Sequence, residues 1–131
     1  GGLMYLTSSI IGLEGESRLM VGVLGGNARM TAGLQRFGYV EIEFTMPNIL
    51  GRPGEKIRGH EFHHSMVEGV DAPGSYRVSS ALKDREWTCG FVRNNILAGY
   101  PHIHFWSNPK MAANFIESCQ RYRKEVRMII G

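Results

Sequence analysis

Two cysteines, Cys89 and Cys119, are all the sequence carries. That is too few for a disulfide framework, and their spacing makes no C-x-x-C metal knuckle, so both read as reduced thiols in a reducing compartment. No apolar run approaches the length of a membrane span, and no basic, apolar and small-residue succession marks a signal peptide. These absences point to a cytoplasmic protein. Charge of one sign is also scarce, the net being +3 with much of the excess in RYRKEVR, Arg121 to Arg127. A nucleic-acid patch needs more charge and interleaved aromatics, so this run reads as the solvated face of a helix.

What is present is ordinary for a globular protein: 43% hydrophobic and 21% charged residues over 131 positions, enough for one domain with its own core. No internal repeat or linker-like stretch divides it. Gly1-Gly2-Leu3-Met4-Tyr5-Leu6 suits a glycine turn running into a helix, and begins abruptly, as if cut from something longer. Met20 to Leu24, MVGVL, has the look of a buried strand closed by Gly25-Gly26. GYVEIEF alternates, with Tyr39, Glu41 and Glu43 on one face and Val40, Ile42 and Phe44 on the other, as in a half-buried strand. Tyr76 to Ser80 reads as another strand, and Trp87 to Val92 with Ile96 to Phe105 as a hairpin. Ser107-Asn108-Pro109 then opens a helix, whose Met111, Phe115, Ile116, Cys119 and Tyr122 recur at helical spacing and predict a buried face.

RGHEFHHS, Arg58 to Ser65, contains H-E-x-x-H, the spacing with which a zinc protease places two ligands one helical turn apart. That motif needs a helix, and the glycines at 54, 59 and 69 with the turn Asp71-Ala72-Pro73-Gly74 oppose one. Read as a strand, Ile57, Gly59, Glu61 and His63 face one way and Arg58, His60, Phe62 and His64 the other, which parts His60 from Glu61. Another metal arrangement would gather His102 and His104 with His60 or His63, without an obvious carboxylate or thiolate ligand.

Taken in order, GGLMYL, MVGVLGGNARM, GYVEIEF, RGHEFHHS and AGYPHIHFWSNP resemble the carboxy-terminal amidotransferase domain of the cobyrinic acid a,c-diamide synthase family, over essentially the whole chain. The resemblance implies a class I glutamine amidotransferase fold: α/β, flavodoxin-like, a mixed sheet with flanking helices. It implies a nucleophilic cysteine immediately before Gly1, on a sharp strand-to-helix turn, so that residues 1–131 form the later part of such a domain and are inert alone. Gly1 would then supply an oxyanion N–H, with Gly2 closing the turn, and His102 would be the base. Where many class I enzymes carry a glutamate two residues after the histidine, His104 stands here, which implies a Cys-His dyad. Arg58, Glu61 and His63, with Gly2 and His104, would line or support the glutamine pocket or the contact with the synthetase domain, or are the polar residues of a packed strand. Met4 departs from the glutamine-contacting side chain that many class I enzymes place at its position.

Of the cysteines present, Cys119 reads as core packing, and Cys89 lacks the strand-turn-helix setting of a nucleophile elbow. The resemblance also implies a missing domain that uses ATP and magnesium to activate tetrapyrrole a and c carboxylates in cobalamin biosynthesis. It implies no cofactor within this chain itself. A docking fragment without catalysis is the other reading, and an uncovered sheet edge predicts a homo-oligomer.

Overall fold

The computed structural model describes residues 1–80, 82 and 84–130. The chain runs α1 (Gly2–Leu6), β1 (Ser9–Ile11), β2 (Ser17–Leu19), β3 (Gly25–Met30), β4 (Arg36–Phe44), β5 (Lys56–His63), β6 (Ser65–Val70), β7 (Gly74–Ser80), β8 (Arg85–Arg93), β9 (Ile96–Ala98), β10 (His102–Ile103) and α2 (Pro109–Ile130), with a short 3-10 turn at Phe105–Ser107. The strands form two sheets, ordered β2-β1-β3-β6 and β10-β5-β4-β7-β8-β9. Pairing is antiparallel except between β1 and β3, which makes this a mixed α/β fold.

The alternation in β4 and β5 positions everything else. Val40, Ile42 and Phe44 are buried, as are Ile57, Gly59 and Glu61, because the two strands pair in register and present these residues to the same side. Tyr76 and Val78 of β7 and Cys89 of β8 continue the same buried cluster along the sheet, and Leu50 and Met111 pack into it. The Phe44 and Tyr76 rings stack with centroids 5.5 Å apart. A second cluster, Leu3, Leu24 and Ala98, joins α1 to the small sheet and to β9. The chain passes from one sheet to the other at His64, where β5 ends and β6 begins, so the segment RGHEFHHS lies across the junction. There the His64 carbonyl accepts from Thr31 N–H at 2.8 Å and the His63 carbonyl from Gln35 N–H at 3.0 Å.

Three sequence expectations require correction. Met20 to Leu24 is not a strand. Its Gly22 N–H donates to the Thr7 carbonyl and its Leu24 N–H to the Leu6 carbonyl, so the backbone is tied to the exit of α1, and the strand starts only at Gly25. Leu24 is buried nonetheless, which explains the apolar run without a ladder. Gly25 and Gly26 have positive φ, and a Cβ on Gly26 would strike the β6 backbone at Glu68 to Val70, so glycine is required where the two strands approach.

Only the first part of Ile96 to Phe105, β9, forms the expected hairpin with β8. β9 pairs with β8, the chain leaves the ladder at Gly99 to Pro101, and β10 pairs with β5 at the opposite edge of the same sheet. Pro101 has no N–H to give a ladder, which fits a break at this point.

The third correction concerns α2, which begins at Pro109 as its proline predicts but does not bury the expected face. Met111 is wholly buried, whereas Phe115, Ile116, Cys119 and Tyr122 are exposed. The first half of the helix is held by the loop before β5: Asn114 Nδ2 donates to the Leu50 carbonyl at 2.7 Å and Ser118 Oγ to the Ile49 carbonyl at 3.1 Å. The residues of RYRKEVR are exposed except for half-buried Val126. No helix among the described residues is long and apolar enough to cross a membrane.

Candidate functional site

β5 divides the residues singled out in the sequence into two groups. Arg58 and His60 open onto a cleft of about 1220 Å³, together with Tyr39, His102, His104 and Trp106. Glu61 and His63 face the opposite, buried side; His60 and Glu61 of the H-E-x-x-H letters lie on a strand and His64 just past its end, so no helix carries the motif and its protease geometry is absent. Among the described residues no three His, Cys, Asp or Glu side chains converge as metal ligands, and His60 and His63 point away from each other.

In the cleft, His102 pairs with His60 across β10 and β5, and its Nδ1 lies 3.1 Å from the His60 carbonyl oxygen. A carbonyl only accepts, so Nδ1 carries the proton in this bond, and in the neutral ring Nε2 is left with the lone pair. This backbone contact orients the ring without a carboxylate. His104 does not share the strand with His102: β10 ends at Ile103, and the His104 N–H donates to the Arg58 carbonyl at 3.0 Å as the chain enters the 3-10 turn. The Arg58 N–H in turn donates to Ser107 Oγ at 2.9 Å. The cleft wall is therefore stitched by hydrogen bonds between the β5 backbone and backbone or side-chain atoms of the AGYPHIHFWSNP segment. The aromatic face beyond it, Phe37, Tyr39, His60 and Phe62, packs edge to face across the two strands.

On the buried side a chain of polar contacts runs from Glu61 to α1. His63 Nε2 lies 3.7 Å from Glu61 Oε2, and His63 Nδ1 donates to the Ser65 carbonyl at 2.9 Å. The imidazole stacks on the Tyr100 ring, with centroids 3.8 Å apart and planes inclined by 6°. Tyr100 Oη and Ser65 Oγ share a hydrogen bond of 2.8 Å, and Ser65 Oγ approaches Met4 Sδ at 3.4 Å. Burial pushes the Tyr100 phenol above its ordinary pKa. Gly1 stands exposed at the start of α1, its carbonyl accepting from Tyr5 N–H at 3.0 Å, and Gly2 is the first helical residue. The structure thus joins Glu61 to His63, and α1 to both through Ser65 and Tyr100. Among the described contacts none links Gly1 directly to His102.

Ser65 and Tyr100 were not singled out from the sequence as site residues, although both lie within its motifs, RGHEFHHS and AGYPHIHFWSNP. The two cysteines separate clearly. Cys89 is buried, its Sγ accepting from Tyr100 N–H at 3.4 Å, and burial pushes its thiol up, away from the thiolate a nucleophile needs. Cys119 is exposed, which overturns its reading as a core residue.

Comparison with known proteins places the chain in a family. The model of the CobB/CobQ-like glutamine amidotransferase domain matches residues 1–110, and the chain belongs to that family. Its relatives include the cobyrinate a,c-diamide synthase of Caldanaerobacter subterraneus subsp. tengcongensis, 45% identical over 125 residues, which are 95% of this chain and 28% of that protein. The enzyme of the same name from Thermoplasma volcanium is 41% identical over 125 residues, 95% of this chain and 27% of that protein. That from Salmonella typhimurium is 37% identical over 123 residues, 92% and 27% respectively. The chain therefore spans under a third of the length of these relatives.

Proposed function

We propose that this chain is the later part of a single glutamine amidotransferase domain in a cytoplasmic cobyrinate a,c-diamide synthase. The whole protein hydrolyses glutamine and delivers the ammonia to a domain outside this chain. That domain uses ATP and magnesium to activate the a and c carboxylates of a tetrapyrrole and amidates them. The observation that carries the reading is the 45% identity to a cobyrinate a,c-diamide synthase across nearly the whole chain. ATP and magnesium are assigned to the domain outside this chain, and no cofactor to residues 1–131.

The chemistry divides among named groups. A cysteine immediately before Gly1 attacks the glutamine carboxamide carbon, and the Gly1 N–H donates a hydrogen bond to the negative charge that develops on the carboxamide oxygen. His102 Nε2 takes the thiol proton and returns it to the departing nitrogen. The C–N bond breaks to release ammonia, leaving a thioester that water hydrolyses to glutamate. The His60 carbonyl does for His102 what a third carboxylate does elsewhere, holding Nδ1–H so that Nε2 acts as base. Tyr100 supports the convergence of the two ends: it stands two residues before His102 and reaches Met4, one turn after Gly1, through Ser65. Without the preceding cysteine, residues 1–131 have no glutaminase activity.

Peptide mass spectrometry of the native parent protein reads the residue before Gly1. Cysteine is the expected result. Any other residue removes the glutaminase from this protein while leaving the family assignment in place.

A further inference from the structure

His102 sits on a strand of only two residues, β10, at one edge of the large sheet, and Pro101 before it has no N–H to extend the ladder. The pairs His102 with His60 and Ile103 with Gly59 are all that this ladder supplies. So short an edge pairing opens easily when nothing else holds it. Yet the bond from His102 Nδ1 to the His60 carbonyl exists only while β10 keeps this register, because the two atoms belong to facing residues.

The segment after β10 supplies the missing hold. Both backbone groups of Arg58 are taken by it: the carbonyl accepts from His104 N–H at 3.0 Å, and the N–H donates to Ser107 Oγ at 2.9 Å. The same hydroxyl donates to the His104 carbonyl at 2.7 Å, so one side chain closes a ring through Arg58 and His104. This place needs a group that is donor and acceptor at once, which a hydroxyl is. Asn108 Nδ2 adds a bond to the Lys56 carbonyl at 2.9 Å. Gly59 provides the seat. It is buried, and a Cβ there would lie 2.9 Å from the His102 carbonyl oxygen and 3.2 Å from Ile42 Cδ1. Ile42 is itself wholly buried, so the partner able to yield is the edge strand β10. The φ of Gly59 is not positive, so alanine would suffer this contact without backbone strain.

We propose that Ser107 and Gly59 are positioning residues for His102: Gly59 lets β10 close onto β5, and the Ser107 hydroxyl locks it in the register that orients the imidazole. Both act through the backbone. Their effect on catalysis rests on the glutaminase reading above; the docking of His102 does not.

The test measures glutamate release from glutamine by the native parent protein and by its Ser107→Ala, Ser107→Thr and Gly59→Ala variants. Amidation supplied with ammonium chloride, which needs no glutamine hydrolysis, is followed in each. The expected result is a kcat for glutamate release lowered about tenfold in Ser107→Ala and at least as far in Gly59→Ala, with the KM for glutamine unchanged. Ser107→Thr keeps a hydroxyl at an exposed position and should hold kcat within about twofold of the parent, while ammonium-supported amidation stays at the parent rate throughout. An unchanged kcat in Ser107→Ala, an equal loss in Ser107→Thr, or a parallel loss of ammonium-supported amidation in Ser107→Ala overturns the proposal. The Ser107 pair of variants decides it even if Gly59→Ala does not fold. The 15N signals of the His102 ring, identified by their loss in His102→Ala, report the docking without any reaction: Nδ1 carries the proton in the parent, and the two tautomers mix in Ser107→Ala. A parent that hydrolyses no glutamine but shows this change removes the glutaminase reading and keeps the positioning role. A parent that hydrolyses glutamine, with the His102 tautomer unmoved in Ser107→Ala, removes the positioning role alone.

Discussion

Truncating Met111 to alanine should detach α2 more effectively than any change to the exposed apolar residues further along that helix. Met111 is fully buried beneath the large sheet, in the cluster that contains Val40, Ile42, Phe44 and Ile57. Removing three side-chain heavy atoms at about 0.8 kcal/mol each, with a contribution from the cavity left behind, gives a loss of roughly 3 kcal/mol. The polar bonds that also hold the helix, from Asn114 to the Leu50 carbonyl and from Ser118 to the Ile49 carbonyl, contribute about 1 kcal/mol apiece. Ile116 is 55% exposed, so Ile116→Ala should change stability by no more than about 0.5 kcal/mol. Urea denaturation of the two variants at one protein concentration measures both. Equal losses for Met111→Ala and Ile116→Ala, or a loss below about 1 kcal/mol for Met111→Ala, would show that α2 packs by the stripe its sequence advertises and would refute the argument.

A thiol reagent at neutral pH should label exposed Cys119 quickly, and Cys89, buried with its pKa pushed up, only as fast as the protein opens; two thiols reacting at one rate in the folded protein would contradict this. Glu55 is held below its ordinary 4.5, first by the hydrogen bond from Lys110 Nζ and then by the Arg52 backbone N–H. A carboxyl whose pKa is lowered by folding contributes stability above its unfolded value and loses it as pH falls through the folded one. The urea midpoint should therefore drop as pH falls below about 4.5, with a shallower drop in Lys110→Gln; identical pH profiles for the two proteins would mean that the pair adds nothing.

The sheet around β4 and β5 was legible because period-two alternation is a direct consequence of burying one face of a strand. Tyr39, Glu41 and Glu43 against Val40, Ile42 and Phe44 separate in the structure as they do in the letters. Runs without a period misled. MVGVL is apolar because Leu24 must be buried, not because its backbone belongs to a ladder, and the glycines at 22, 25 and 26 place their φ angles where a regular strand does not go. Nothing local marks Ile96 to Phe105 as two strands at opposite edges of one sheet; Pro101 was the sole hint. The helical stripe from Met111 to Tyr122 is genuine in spacing, but spacing says which residues share a face, not what covers it.

Of the candidate site, strand alternation foretold the opposition of His60 to Glu61, while His102 was singled out by the family resemblance alone. The polar chain through Ser65, Tyr100 and Met4 depends on residues brought together from α1, β6 and the break after β9, and no sequence spacing encodes such a contact.

Glutamate release from glutamine by the native parent protein, measured beside its His102→Ala variant, tests the central claim most directly. The account predicts that the variant loses activity by a factor of about 10² to 10⁴ while its folding is unchanged, because the base that deprotonates the thiol and protonates the leaving ammonia is gone. A variant that releases glutamate as fast as the parent would contradict it.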